Sequence, residues 1–87
     1  ALVAANPTHA RGYNLLGAAL ATQGRREAAR DAFLASLKVE PRDPSTYTNL
    51  GLLELESGNR DAGLQRLAEA LLLDPNATTA RDAYQRE

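Results

Sequence analysis

Residues able to do chemistry are sparse in this sequence, and their spacing argues against a catalytic site. His9 is the single histidine. An imidazole titrating near neutrality is a ready general base, but no nucleophile or orienting partner stands near it in sequence. It reads as a capping or solvated histidine just ahead of a helix. Glu54 and Glu56 lie two apart, hence on different faces of a helix, where they cannot share a cation. Arg25, Arg26 and Arg30 form a basic run interleaved with Glu27 and Asp31. Glu27 and Arg30 sit one helical turn apart and neutralise each other, the pattern of a solvated face. Asn76-Ala77-Thr78 matches the glycosylation sequon, in a turn where helix-start chemistry explains the same residues. With no cysteine, neither disulfides nor thiolate metal sites arise. The expectation is no catalytic residue, no metal and no cofactor: not an enzyme.

The elements around these residues are easier to read. The 87 residues are 44% hydrophobic but only 5% aromatic, and much of the apolar content is Ala and Leu, strong helix formers. Strand-favouring residues are few. A formal net charge of -1 excludes the basic field that nucleic acid requires. No apolar run approaches the roughly 20 residues of a membrane span, and no signal peptide is visible. The chain starts at Ala1 rather than Met and is read as a piece of a longer protein. The missing cysteine fits cytoplasm and periplasm alike.

The organisation is repetitive. Pro7, Pro41 and Pro75 stand 34 residues apart, and the same shift carries Tyr13 to Tyr47, Leu16-Gly17 to Leu50-Gly51, Gly24 to Gly58 and Leu37 to Leu71. A gapless period of this length marks stacked repeats. Each unit reads as two helices. In the second unit Asp43 caps a helix opened by Pro44, with Tyr47, Leu50 and Leu53 at helical spacing. Gly58 ends it as a left-handed terminator. A second helix runs from about Arg60 to Leu72, with Leu64, Leu67 and Leu71 on one face. The first unit predicts helices near Ala10–Thr22 and Arg26–Lys38 around a turn at Gln23-Gly24. Helices joined so tightly lie antiparallel.

Gly17 and Gly51 stand inside predicted helices, where a glycine costs about 1 kcal/mol against alanine. Close approach of the paired helix explains them. Gly51 and Gly63 are expected to form that contact, with Tyr47 and Leu67 beside them and Gly17 and Ala29 as the counterparts in the first unit.

The residue order within the 34-residue period resembles the tetratricopeptide repeat, whose pattern runs through an aromatic, Leu-Gly, a large residue, Ala, Phe and Pro. Here the series is Tyr13, Leu16-Gly17, Leu20, Ala29, Phe33, Pro41, and then Tyr47, Leu50-Gly51, Glu54, Gly63, Leu67, Pro75. Glu54 departs from a large apolar residue, and Arg26 and Arg60 replace a common aromatic. The resemblance implies an all-α fold, an α-solenoid of antiparallel helix pairs with about two and a half units and five main helices. The whole of 1–87 is then one domain, with units 10–43 and 44–77 and a capping helix 78–87. In that cap Tyr84 is expected to supply the large contact. Ala1–Asn6 resembles the closing turns of a preceding second helix. The N-terminal side is expected to expose apolar surface, covered by more of the parent chain or by a second copy.

The resemblance also implies a function. First helices of such units line a concave groove that holds a peptide or partner helix. By position it is lined by Arg11, Asn14, Ala18, Ala21 and Thr22, then Ser45, Thr48, Asn49, Leu52, Leu55 and Glu56. Leu52 and Leu55 are expected to be exposed there. Of the Lys, Asn and Arg set with which some members hold acidic chaperone tails, only Asn49 matches, and Ala18 and Ala83 occupy positions that need Asn and a basic residue. The expectation is a non-catalytic scaffold with a protein or peptide partner, neither nucleic acid nor membrane. The alternatives are a structural segment that self-associates, with Leu72 as an outward patch, and an accessory segment of a larger enzyme.

Overall fold

The computed structural model describes residues 7–87. The expectation for Ala1–Asn6 lies outside them. Five helices follow one another: α1 (Pro7–Thr22), α2 (Arg26–Val39), α3 (Pro44–Glu56), α4 (Arg60–Leu73) and α5 (Thr78–Arg86). No strand occurs among the described residues, so the chain is all-α. It divides into two compact units, Ala1–Arg42 and Asp43–Glu87.

Local chemistry sets the helix ends. The Asp43 carboxylate accepts the Ser45 N–H at 3.0 Å and the Thr46 hydroxyl at 3.0 Å. This cap sits ahead of Pro44 at the first helical position, where a missing N–H costs nothing. Helix α1 is described from Pro7, earlier than the expected Ala10. The α1 and α3 C-termini close identically. Gly24 and Gly58 take φ of +80° and +87°, a region that side chains other than glycine's rarely occupy. Behind them, Arg25 N–H reaches Leu20 O at 2.9 Å and Asn59 N–H reaches Glu54 O at 2.8 Å, the six-to-one bond of a Schellman ending.

In the first unit the α1–α2 contact is a ring against a backbone. A Cβ on Gly17 would lie 2.6 Å from the Phe33 ring, and Phe33 is 1% exposed. Ala29 and Ala32 are buried alongside. The buried Ser36 hydroxyl donates to Ala10 O at 2.7 Å, which satisfies both groups away from water.

The second unit repeats the device with different volumes. A Cβ on Gly51 would lie 2.8 Å from Leu67 Cγ and 3.1 Å from Gly63 O, and one on Gly63 would lie 2.8 Å from Leu55 and 3.0 Å from Gly51 O. The two helices therefore meet backbone to backbone, as the glycine positions predict. Helix α5 completes the unit. Its buried Ala80 and Ala83 pack on Leu67 and Ala70 of α4, and Tyr47, Leu52, Leu55 and Leu71 surround this core.

Three expectations change here. Tyr84 stays 43% exposed, so α5 docks through its alanines, whose small side chains let α4 come close. Leu52 and Leu55 are half-buried against the α4–α5 core instead of exposed, because Gly63 leaves the space that Leu55 fills. His9 lies in the first turn of α1, not ahead of it, with Nδ1 shielded and without a hydrogen-bond partner.

Candidate functional site

One turn and two helix starts in the second unit converge on a shallow cleft of about 300 Å³, open to solvent. On the α3 side it is lined by Ser45, Thr48 and Asn49, and on the other by Thr78 and Thr79 of α5, with Ala77, Ala80 and Asp74 between. Helical spacing brings the α3 residues to one wall, since residues three and four apart share a face. Thr48 is 8% exposed, with its hydroxyl turned back to Pro44 O at 2.8 Å. The 74–77 turn is shaped by the Asp74 carboxylate, which accepts the Asn76 N–H at 3.0 Å. Asp74 is the one charged residue among the described residues of the lining. The walls are therefore polar and uncharged around a single carboxylate, a surface that accepts hydrogen bonds and disfavours anions. Asn76 and Thr78, two members of the sequon, serve that turn and helix start: the Thr78 hydroxyl donates to Asn76 O at 3.4 Å.

The sequence-predicted groove residues are distributed as follows. Ser45, Thr48 and Asn49 come together in this cleft. Leu52 and Leu55 are half-buried against the core, and Glu56 is exposed at the end of α3. On α1, Arg11 and Thr22 are exposed and Asn14, Ala18 and Ala21 half-buried. The Thr22 hydroxyl donates to Ala18 O at 3.0 Å. Leu72 is 78% exposed, facing outward as expected. Sequence reasoning missed Asp74, Thr78 and Thr79. The repeat itself carried a signal for Thr79, which falls one 34-residue period after Ser45.

The remaining chemical candidates resolve into structure. Glu54 is 6% exposed and its carboxylate accepts the Asn59 side-chain amide at 2.9 Å. A large apolar residue is thus replaced by a hydrogen-bonded link across the α3–α4 turn, which satisfies a buried acceptor. Arg60 reaches the other end of the unit: its guanidinium donates to Glu87 O at 2.6 Å, and Nε lies 3.4 Å from the Glu87 carboxylate. Arg30 pairs with Glu27 at 3.1 Å. Among the described residues no three His, Asp or Glu side chains gather as a metal site would require. None of the helices is long and apolar enough to cross a membrane, among the described residues.

Short helices paired through left-handed glycine turns, with small residues where backbones meet, define a helical-repeat protein. Residues 10–43 match the tetratricopeptide repeat model. A TPR repeat-containing protein of Pseudomonas aeruginosa is 41% identical over 81 residues, which is 92% of this chain and 32% of that protein. The chain belongs to the tetratricopeptide repeat family. It spans about a third of the length of the curated relative it matches. Repeats of this family generally mediate protein–protein interaction, and the family is typically a non-enzymatic scaffold.

Proposed function

We propose that this chain is a non-catalytic interaction module that holds a peptide or partner helix, with the α3–α5 cleft of the second unit as the anchoring point. The observation that carries this reading is the convergence of Ser45, Thr48 and Asn49, expected on the groove wall, with Thr78 and Thr79 across an open cleft. The face of α1 bearing Arg11, Asn14 and Ala18 is the corresponding surface of the first unit. An extended segment gains main-chain hydrogen bonds from hydroxyl and amide walls of this kind. The carboxylate of Asp74 favours a ligand that brings donors.

Selection from a random peptide library tests the proposal. Ser45→Arg and Thr79→Arg, both at exposed positions, fill the cleft without disturbing the core. Enriched peptides that share a motif and lose binding at least tenfold in either variant are the expected result. No enrichment by a chain shown to be folded by helical circular dichroism refutes it.

A second reading has its own observation. Leu72 is 78% exposed beside Leu73 at 39%, and an apolar pair on an outer face is a patch for self-association.

A further inference from the structure

The formal net charge of -1 conceals a division within the chain. Residues 1–42 carry six Lys and Arg against three Asp and Glu, and residues 43–87 carry four Arg against eight Asp and Glu. The second unit, which holds the cleft, is therefore the acidic one. Some of its charges are engaged internally. The buried Glu54 accepts from the Asn59 amide, and Arg60 pairs with Glu87. Without these, Arg66, Arg81 and Arg86 stand against six carboxylates. An excess of this sign draws basic ligands and repels acidic ones.

The cleft repeats the imbalance at short range. Among the described residues its lining holds Asp74 and no basic side chain. Asp74 is half-buried. Its carboxylate accepts the Asn76 N–H at 3.0 Å, which uses one of about four lone-pair sites that a carboxylate offers. A helix start opposes such a charge with about half a positive charge. At α3 the Asp43 carboxylate already meets it through the Ser45 N–H. At α5 the N-cap residue Ala77 brings no side-chain acceptor, so about half a positive charge remains against one full carboxylate, and the cleft stays negative. Ser45, Asn49 and Thr79 place neutral oxygens on the same walls, of the kind that accept from an ammonium or guanidinium. At about 300 Å³ the cleft has the size of a small-ligand pocket. That suits one long side chain of an extended segment and is too small for a helix roughly 10 Å across.

We infer that the α3–α5 cleft takes a lysine or arginine side chain from an extended basic segment of another protein, with the charged end on Asp74. The inference rests on the interaction-module reading above and names the chemistry of its ligand. A second copy of this chain is disfavoured as occupant, because the basic residues of its first unit sit on helices and at their short connecting turns and offer no extended segment.

The test selects a random peptide library on the full chain and remakes the most enriched peptide with its basic residue replaced by norleucine. Both peptides are titrated by fluorescence anisotropy against the parent, Asp74→Asn and Asp82→Asn, each shown to be folded by helical circular dichroism. Asparagine at 74 keeps an oxygen for the Asn76 N–H. Asp82 lies outside the cleft lining, and its variant makes the same change in net charge. The basic peptide is expected to bind Asp74→Asn roughly fivefold more weakly or worse, and Asp82→Asn within about twofold of the parent. The norleucine peptide is expected to bind the parent with a similar loss and to ignore Asp74→Asn. That loss on the parent decides the matter should Asp74→Asn fail to fold. Enriched peptides without a basic residue, or equal losses in Asp74→Asn and Asp82→Asn, overturn the inference. If such peptides still lose binding in Thr79→Arg, the module reading stands without it. No enrichment by the folded chain removes both.

Discussion

Alanine substituted for glycine in a helix interior normally stabilises by about 1 kcal/mol through backbone entropy. This chain offers two sites where the same change is expected to act with opposite sign. At Gly12 a Cβ meets open space, so Gly12→Ala keeps the full gain of up to about 1 kcal/mol. At Gly51 the new methyl falls 2.8 Å from Leu67 Cγ, 2.9 Å from Leu67 Cδ2 and 3.1 Å from the Gly63 carbonyl. Leu67 has no exposed surface through which to retreat, and Gly63 O is backbone. Relief therefore requires α3 and α4 to separate. Overpacking of this kind costs about 1–3 kcal/mol, and the upper half of that range applies because both obstacles are fixed. Subtracting the propensity gain leaves Gly51→Ala about 1–2 kcal/mol less stable, a midpoint lower by roughly 5–10 °C. Urea and thermal unfolding followed by helical circular dichroism measure both variants. A Gly51→Ala chain at least as stable as the parent would refute the backbone-contact explanation of this glycine.

Asp43→Ala removes the carboxylate that holds the Ser45 N–H and the Thr46 hydroxyl, and is expected to cost about 1 kcal/mol in urea unfolding. Gly58→Ala forces a Cβ into φ +87° and is expected to cost about 1–2 kcal/mol, although the position itself is open to solvent; a neutral result would show that the turn relaxes. Leu72→Lys at a 78% exposed position is expected to leave stability within about 0.5 kcal/mol. Sedimentation of the same variant decides the second functional reading, since dissociation of a parent oligomer is what self-association through Leu72 requires.

The fold was legible because its punctuation is local. Proline at a first helical position, Asp43 as a cap, and glycine in a left-handed turn act within a few residues, and each element stands close to its expected place. The helix contact was legible too, since Gly17 and Gly51 have no local reason to exist and so point to a neighbour. What stayed hidden depends on the size of partners distant in sequence. Leu52 and Leu55 occupy positions on a first helix that resemblance assigns to a groove, yet the space beside Gly63 and the ridge under α5 draw them inward. Tyr84 is not the cap's main contact because Ala80 and Ala83 are the residues of α5 that bury against Leu67 and Ala70, while Tyr84 stays 43% exposed. The Asp74 edge of the cleft was hidden because a turn residue gains a site role only when two helix starts converge on it.

The Gly63–Leu55 contact bears on how such repeats can be exchanged. One period earlier the same two positions hold Ala29 and Ala21, with Ala29 fully buried and Phe33 in place of Leu67. The two units thus divide volume differently at the same two positions, Leu and Gly in one and Ala and Ala in the other. Transfer of Ala29 alone into the second unit, as Gly63→Ala, drives a methyl to 2.8 Å from Leu55. Transfer of Gly63 alone into the first unit opens a hole. The two positions are heritable as a pair, so recombination that cuts between the helices of a unit meets a barrier that recombination between whole units does not.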